Sequence, residues 1–243
     1  MAQWTGATLA DVLALAGVKS EALQVCPRGG ETDSVEGEIR IPIDIDKALD
    51  RDTLLATEMN GAPLPRDHGF PVRVLVPGWI GAYSVKWVAD IEVRCEPLWV
   101  RRNTESYVLK GEQWPADQYA PAAGAPIKAL NIKSTLALPR PAQLKVGVHT
   151  LHGYARSPGH RIAQVDWSED LGATWQAARL GTNNTKYGWV RFELDWQAQA
   201  GERVLMTRAV DETGGSQPES MPHNGGGYLF NAIHPHPISI RSD

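Results

Sequence analysis

The stretch Arg66-Asp67-His68-Gly69-Phe70-Pro71-Val72-Arg73-Val74-Leu75-Val76-Pro77-Gly78-Trp79-Ile80-Gly81-Ala82-Tyr83-Ser84-Val85-Lys86-Trp87 sets the reading of the whole chain. Val72, Val74 and Val76 alternate with Arg73 and Leu75, the period of a half-buried strand. Val85, Trp87, Ala89, Ile91 and Val93 alternate with Lys86, Asp90 and Glu92 and predict a second strand. The pattern puts Arg73 and Lys86 on the face opposite each apolar row. Between the strands, the loop Pro77-Gly78-Trp79-Ile80-Gly81 predicts backbone that approaches a ligand closely. Two readings stand at this point. Arg73 and Lys86 are solvated strand residues and His68 is a turn residue satisfied by backbone, or the three form an anion-binding corner. Phosphate is the commonest anion that such corners hold, and no block of acids flanks this one.

Bulk properties narrow the classes. The 243 residues suit one large domain or two smaller ones of ordinary composition. The net charge of −4 gives no basic field to recruit nucleic acid, and Arg101-Arg102 is the only basic doublet. Nothing is apolar for long enough to span a membrane. The start, Met1-Ala2-Gln3-Trp4-Thr5-Gly6, shows no signal peptide, and the compartment stays undetermined. Cys26 and Cys95 are read as free and buried, without the spacing of a zinc site.

In chain order, Thr5 or Thr8 caps a helix with Leu9, Val12, Leu13 and Ala16 on one face and Gly17 as its stop, with no strand before it. Ile39, Ile41, Ile43 and Ile45 predict a strand or a strand-like entry to a short helix at 46–49. Thr53 to Met59 reads as a strand, and Asn60-Gly61 as a tight turn. From Glu96 to Pro126 the periodicity dissolves into a long irregular connection that ends in an Ala/Pro/Gly linker near 120–126.

Beyond it the pattern is β throughout. One run carries Leu144, Val146, Val148 and Tyr154, and another Ala163, Val165 and Trp167, ending in the turn Ser168-Glu169-Asp170-Leu171-Gly172. Val190, Phe192, Leu194 and Trp196 make a third, and Val204–Asp211 with Ile238–Ile240 close the set. Short strands with turn signals at close spacing predict an immunoglobulin-like β-sandwich, so the fold class is α+β, mostly β. Trp167, Trp175, Trp189 and Trp196 are read as sandwich core or interface. The histidine-rich stretch from Pro222 to His236 fits neither a zinc nor an iron site and is read as a loop packed on the first domain.

The run Leu54-Leu55-Ala56-Thr57-Glu58-Met59-Asn60-Gly61, continuing through His68-Gly69-Phe70-Pro71-Val72-Arg73 to Ser84-Val85-Lys86-Trp87, resembles the sulfite oxidase family of molybdopterin enzymes. Gly153-Tyr154-Ala155, Ile162 to Trp167, Gly172-Ala173-Thr174-Trp175, Arg208-Ala209-Val210-Asp211, Gln217-Pro218 and Asn224 to Asn231 resemble its C-terminal dimerisation domain. The resemblance implies a partial molybdopterin-binding domain at 1–122 and an immunoglobulin-like dimerisation domain at 127–243. It implies that His68, Arg73, Ser84, Val85 and Lys86 contact the pyranopterin and its phosphate, with Asp33 as an acidic cofactor contact. It thereby favours the anion corner.

The departures carry equal weight. The family's molybdenum-ligating cysteine lies in a Cys-x-Gly-Asn type motif before the segment matching Trp4-Thr5-Gly6, and neither Cys26 nor Cys95 inherits that role. The chain as given is therefore expected to lack its metal ligand and to be inactive alone. Thr57 stands where animal and plant sulfite oxidases place an active-site tyrosine, on the substrate side, and Gly226 where they place an arginine. The resemblance implies oxygen-atom transfer on a sulfite-like or other sulfur oxyanion, electrons passing to a haem or cytochrome partner, and a homodimer. A nitrate reductase-type molybdenum domain and a non-catalytic dimerising remnant are the alternatives.

Overall fold

The computed structural model describes residues 1–31 and 39–242, and these fall into two compact units. The first comprises Met1–Ala129 and His223–Tyr228, the second Leu130–Pro222 and Leu229–Asp243.

The first unit opens with strand β1 (Trp4–Thr8), helix α1 (Leu9–Leu15) and strand β2 (Gln24–Gly29). Strand β3 (Ile43–Asp44), helix α2 (Ile45–Ala48), β4 (Leu54–Met59) and β5 (Ala62–Pro63) follow. The Thr8 hydroxyl accepts from Asp11 N at 3.1 Å, and Gly17 takes φ +72 beyond the helix end, as the capping pattern predicts. The expectation that no strand precedes this helix is overturned: β1 pairs along the whole of β4. Its five residues show no alternation, and their partner lies some fifty residues on, so no local pattern reveals them. Gly6 makes the pairing possible, since a Cβ there would lie 2.0 Å from the Leu55 carbonyl oxygen. Asn60 at φ 55 and Gly61 at φ 77 form the predicted tight turn from β4 to β5.

Strands β6 (Arg73–Leu75) and β7 (Val88–Arg94) come next. β6 pairs with β4 through Leu54–Ala56, while β2 pairs with β3 and β7 in a separate three-stranded sheet. Leu9, Leu13, Val25, Ile41, Ile43, Val74, Val76, Tyr83 and Val85 make the core between them. The predicted strand from Val85 begins only at Val88, because Trp87 takes φ +49 and breaks the phase. Lys86 is thus not a strand residue, and of the expected apolar row Ala89 and Val93 are exposed.

The glycine loop is also not what its composition predicts. Gly78 needs its φ of +79, but no atom lies within 4 Å of a Cβ built on Gly81. Trp79 packs edge-on against Tyr83 at 4.7 Å, and the buried Tyr83 hydroxyl donates to the Ile127 carbonyl at 3.0 Å. These aromatic residues brace the loop, while the space around Gly81 stays open.

The region Glu96–Pro126 holds a π-helical turn at Arg102–Ser106 and a two-stranded ladder of β8 (Val108–Leu109) with β9 (Ala125–Pro126). The Ala/Pro/Gly stretch within it is packed and does not behave as an open linker. Ala122 is buried, and a Cβ on Gly124 would lie 2.0 Å from Leu109 O. Small residues sit there because backbone passes close to backbone.

The second unit is a sandwich. Its strands are β10 (Lys133–Leu136), β11 (Ala142–Lys145), β12 (Gly147–Arg156), β13 (Ile162–Ser168) and β14 (Gln176–Ala177). β15 (Arg179–Leu180), β16 (Val190–Ala198), β17 (Gly201–Asp211) and β18 (His236–Arg241) complete it. One sheet runs β10-β12-β16-β15 and the other β11-β18-β17-β13-β14. β16 alternates strictly, burying Val190, Phe192, Leu194 and Trp196. These meet Val165, Trp167, Leu205 and Ile238 from the facing sheet in one core.

Trp175 and Trp189 are only half-buried, each under an arginine. Gly147, at φ +136, divides the run expected from Leu144 to Tyr154 into two strands and leaves Val146 and Val148 exposed. Gln217 is buried, and its side-chain oxygen accepts from Ser134 N, Ser134 Oγ and Ala209 N. Its nitrogen donates to Asn231 O, so this polar group is buried with its hydrogen bonds made.

Two outcomes follow for the sandwich. A Cβ on Gly153 would lie 2.3 Å from both Phe192 Cζ and Thr135 O. Gly153→Ala is therefore expected to cost about 1–3 kcal/mol by overpacking, read as a lower urea midpoint. In the turn after β13, the Thr174 hydroxyl and amide and the Ser168 hydroxyl donate to the Asp170 carboxylate and hold its pKa down at about 2. A carboxylate depressed on folding adds stability above its unfolded value near pH 4, and loses it as pH falls towards about 2. An NMR titration should place the Asp170 midpoint near that lower value, and Thr174→Ala should move it upward.

Candidate functional site

Arg73 opens β6 and is held by its neighbours on both sides. Its Nη1 donates to His68 O at 3.1 Å and its Nη2 to Ser84 O at 2.9 Å. One guanidinium thus ties the 3₁₀ turn Arg66–His68 to the segment Ser84–Lys86. Trp4 lies beneath it, 5.2 Å from ring centroid to guanidinium carbon. Burial lowers the Arg73 pKa from its ordinary value, and its Nε is buried without a partner among the described residues.

Lys86 comes from the facing segment. Its Nζ donates to Asp67 O at 3.1 Å and sits 3.9 Å from the Trp87 ring centroid. An ammonium has three N–H groups, so further donors remain beyond this one bond. Trp87 is itself anchored, Nε1 donating to Arg66 O at 3.0 Å, and its carbonyl accepts from Gly30 N at 2.8 Å. Those two bonds hold the residue in its left-handed conformation and so aim Lys86 back across the 3₁₀ turn.

Gly69 is the pivot between the two cations. It adopts φ +104, and a Cβ would sit 3.1 Å from the Cβ atoms of both Arg73 and Lys86. Only glycine meets both demands comfortably. The structure therefore brings together His68, Arg73, Ser84 and Lys86. The His68 side chain is exposed, while its carbonyl is bound by Arg73. The Ser84 hydroxyl accepts from Val76 N at 3.1 Å, bracing the loop.

Val85 is different from the others: its side chain is buried in the core, and its carbonyl accepts from Val74 N. It can meet a ligand only through the main chain. Thr57 is exposed on β4, next to Ala56, which pairs with Arg73. It falls at the β-bulge where β1 skips one residue of β4. Asp33 lies outside the described residues.

Four contributors escaped the sequence pattern: the carbonyls of Arg66 and Asp67, the Trp87 indole, and Trp4. Main-chain acceptors carry no residue-type signal. Trp4 lies 69 positions before Arg73, so only the fold reveals its role.

The cysteines do not join this corner. Cys26 is buried on β2 opposite Glu92, and burial raises its thiol pKa to about 11. Cys95 is exposed, which corrects the expectation that both are buried. Among the described residues no cluster of three His, Cys, Asp or Glu side chains could hold a metal ion. Gly226 lies in an exposed turn, and a Cβ there would lie 2.7 Å from the Tyr228 ring. Tyr107 packs against the same ring at 6.1 Å, and Gly225 N donates to Lys110 O at 3.0 Å. Of the stretch from Pro222 to His236 read as a loop on the first domain, only His223–Tyr228 belongs to the first unit, while Pro222 and the part from Leu229 on belong to the second.

The model of the oxidoreductase molybdopterin binding domain matches residues 1–99, and that of the Mo-co oxidoreductase dimerisation domain matches residues 125–241. Mitochondrial sulfite oxidase of Homo sapiens is 37% identical over 251 residues, covering 96% of this chain and 45% of the relative. An NADH nitrate reductase of Ulva prolifera is 34% identical over 242 residues, covering 88% and 28% respectively. The crystal structure of the sulfane dehydrogenase SoxCD from Paracoccus pantotrophus matches with a TM-score of 0.82 at 29% identity, covering 98% of this chain and 60% of that one. The chain spans about half the length of the sulfite oxidases it matches. With a cationic corner on the matching segment and a β-sandwich following it in sequence, the chain belongs to the sulfite oxidase family of molybdopterin-dependent oxidoreductases.

Proposed function

We propose that this chain holds the pterin and phosphate of a molybdenum cofactor in residues 1–122, and dimerises through the sandwich at 127–243. It would serve an oxidoreductase acting on a sulfur oxyanion or related sulfur compound, with electrons leaving to a haem or cytochrome partner. The observation that carries the reading is the convergence of Arg73 and Lys86 across Gly69 with, among the described residues, only carbonyl oxygens as hydrogen-bond partners. Carbonyls orient a cation without neutralising it, so the corner keeps its attraction for an anion.

The residues present fit a phosphorylated pterin. The donor set is a guanidinium, an ammonium and an exposed imidazole, and Arg73 Nε is a buried donor without a partner among the described residues. Gly69 and Lys86 leave no room for a side chain at the pivot, which keeps the corner shallow. Lys86 and His68 would hold the phosphate, Ser84 and the Val85 main chain would line the pterin, and Asp33 would add an acidic contact. When bound, molybdopterin supplies oxygen-atom transfer coupled to two-electron redox change at its metal. Arg73 positions both walls of the corner, and Thr57 faces the substrate side with an exposed hydroxyl in place of a phenol. The buried Cys26 thiol, protonated at neutral pH, is unsuited to ligate a metal.

The substrate class rests on the printed names of the relatives, sulfite oxidase and sulfane dehydrogenase, together with Thr57 and Gly226. Without a phenol and a guanidinium at those positions, a divalent oxyanion such as sulfite loses paired charge. The nitrate reductase relatives support nitrate as the second reading.

Lys86→Gln should weaken retention of molybdopterin about tenfold or more, the scale of one hydrogen bond to a charged group, with little change in thermal midpoint. Arg73→Ala should lower both retention and midpoint, because it frees two walls and leaves their carbonyls unpaired. Pterin content by fluorescence after oxidation, beside a thermal melt, checks each. Equal retention by wild type and Lys86→Gln would overturn the site. Steady-state assays with sulfite, thiosulfate and nitrate, run on this chain joined to a cysteine-bearing segment of the family and loaded with cofactor, test the substrate class. Turnover on nitrate alone would replace the sulfur reading.

A further inference from the structure

The histidine-rich stretch continues past the first unit into a cavity of about 350 Å³ within the sandwich. That volume falls in the range of roughly 300–1,000 Å³ typical of small-molecule sites. Four basic side chains line it: Lys133 from β10, Arg140 from the connection after β10, His234, and His236 at the start of β18. No carboxylate joins the lining among the described residues.

The partners of these groups are again neutral. Lys133 Nζ donates to Phe230 O at 3.0 Å, Arg140 Nη2 donates to Pro235 O at 3.1 Å, and His236 Nε2 lies 2.8 Å from Pro139 O. Each head is fixed, and none is neutralised. Mutual repulsion follows, and it shows in His234, whose pKa is lowered by burial and then by Arg140, Lys133 and His236. Phe230 stands edge-on to His234 at 5.7 Å and lies 5.8 Å from the Lys133 ammonium, so an aromatic ring touches two of the basic groups.

The inner part of the cavity is apolar. Leu136, Leu205 and Ala232 are buried there. Ser134 and Thr207 also line it, yet their hydroxyls are 2.9 Å apart and Ser134 donates to Gln217 at 2.5 Å. They are already engaged with one another and with Gln217. The site therefore offers cations at its rim and hydrocarbon within.

We propose that this cavity binds a small organic anion, a carboxylate or sulfonate head carried on a short apolar body. The head would relieve the repulsion among Lys133, Arg140, His234 and His236, and the body would lie on Leu136 and Leu205. The site is built from the sandwich alone and is independent of the cofactor reading.

Calorimetric titration of the full chain with hexanesulfonate, hexanol and sodium sulfate at constant ionic strength tests it. Hexanesulfonate should bind saturably at one site, and hexanol and sulfate at least about tenfold more weakly, since each lacks half of the recognised chemistry. Arg140→Gln and Lys133→Gln should each weaken hexanesulfonate about tenfold, and their unfolding midpoints report whether the fold survives. In wild type, the ring resonances of His234 should shift on saturation. No saturable binding by wild type, equal binding of hexanol or of sulfate, or folded variants that bind unchanged would each overturn the proposal.

Discussion

Much of the first unit's site depends on a single guanidinium. Arg73 is a strand residue whose two terminal nitrogens reach carbonyls sixteen positions apart in sequence, at His68 and Ser84. Hydrogen bonds to a charged group are worth about 1.5–3 kcal/mol each, enough to define the separation of the two segments. Desolvating that charge carries a cost, which the depressed pKa records. The cost is offset by the carbonyls and by the Trp4 face beneath. Arg73 is thus chiefly a brace, and Lys86, with a single carbonyl partner among the described residues and spare donors, is the freer cation.

The sandwich solves a related problem without charge. Gln217 gathers three donors on one oxygen and passes its own N–H to Asn231, whose side chain donates in turn to Ile132 O. Strands β10 and β17 and the segment leading to β18 are linked by this network inside a hydrocarbon core. Partial loss of such a network is more costly than never having built it, because buried donors are left without water.

Sequence periodicity revealed whatever depends on neighbours in the chain. The Thr8 cap, the Asn60-Gly61 turn, the Ser168–Gly172 turn and the alternation of Val190–Trp196 all rest on local rules, and all are present. The failures share a cause. β1 is a strand only because β4 accepts it, and Trp87 breaks an alternating row because two distant carbonyl and amide partners hold it left-handed. In the glycine loop the glycines were visible, but the Tyr83–Ile127 bond that braces it was not. At the corner the residue types were legible, but the division of labour between Arg73 and Lys86 required distances.

The discontinuity of the first unit has a practical meaning. Because His223–Tyr228 belongs with Met1–Ala129, the chain visits the first unit, leaves for the sandwich, returns, and leaves again. No single cut of the polypeptide yields two complete bodies. A fragment ended after Ala129 would forfeit the Tyr228 ring beside Tyr107 and the amide that caps Lys110. Shuffling modules at that junction would therefore carry a hidden six-residue debt, and a workable exchange must graft the returning segment together with the unit it completes.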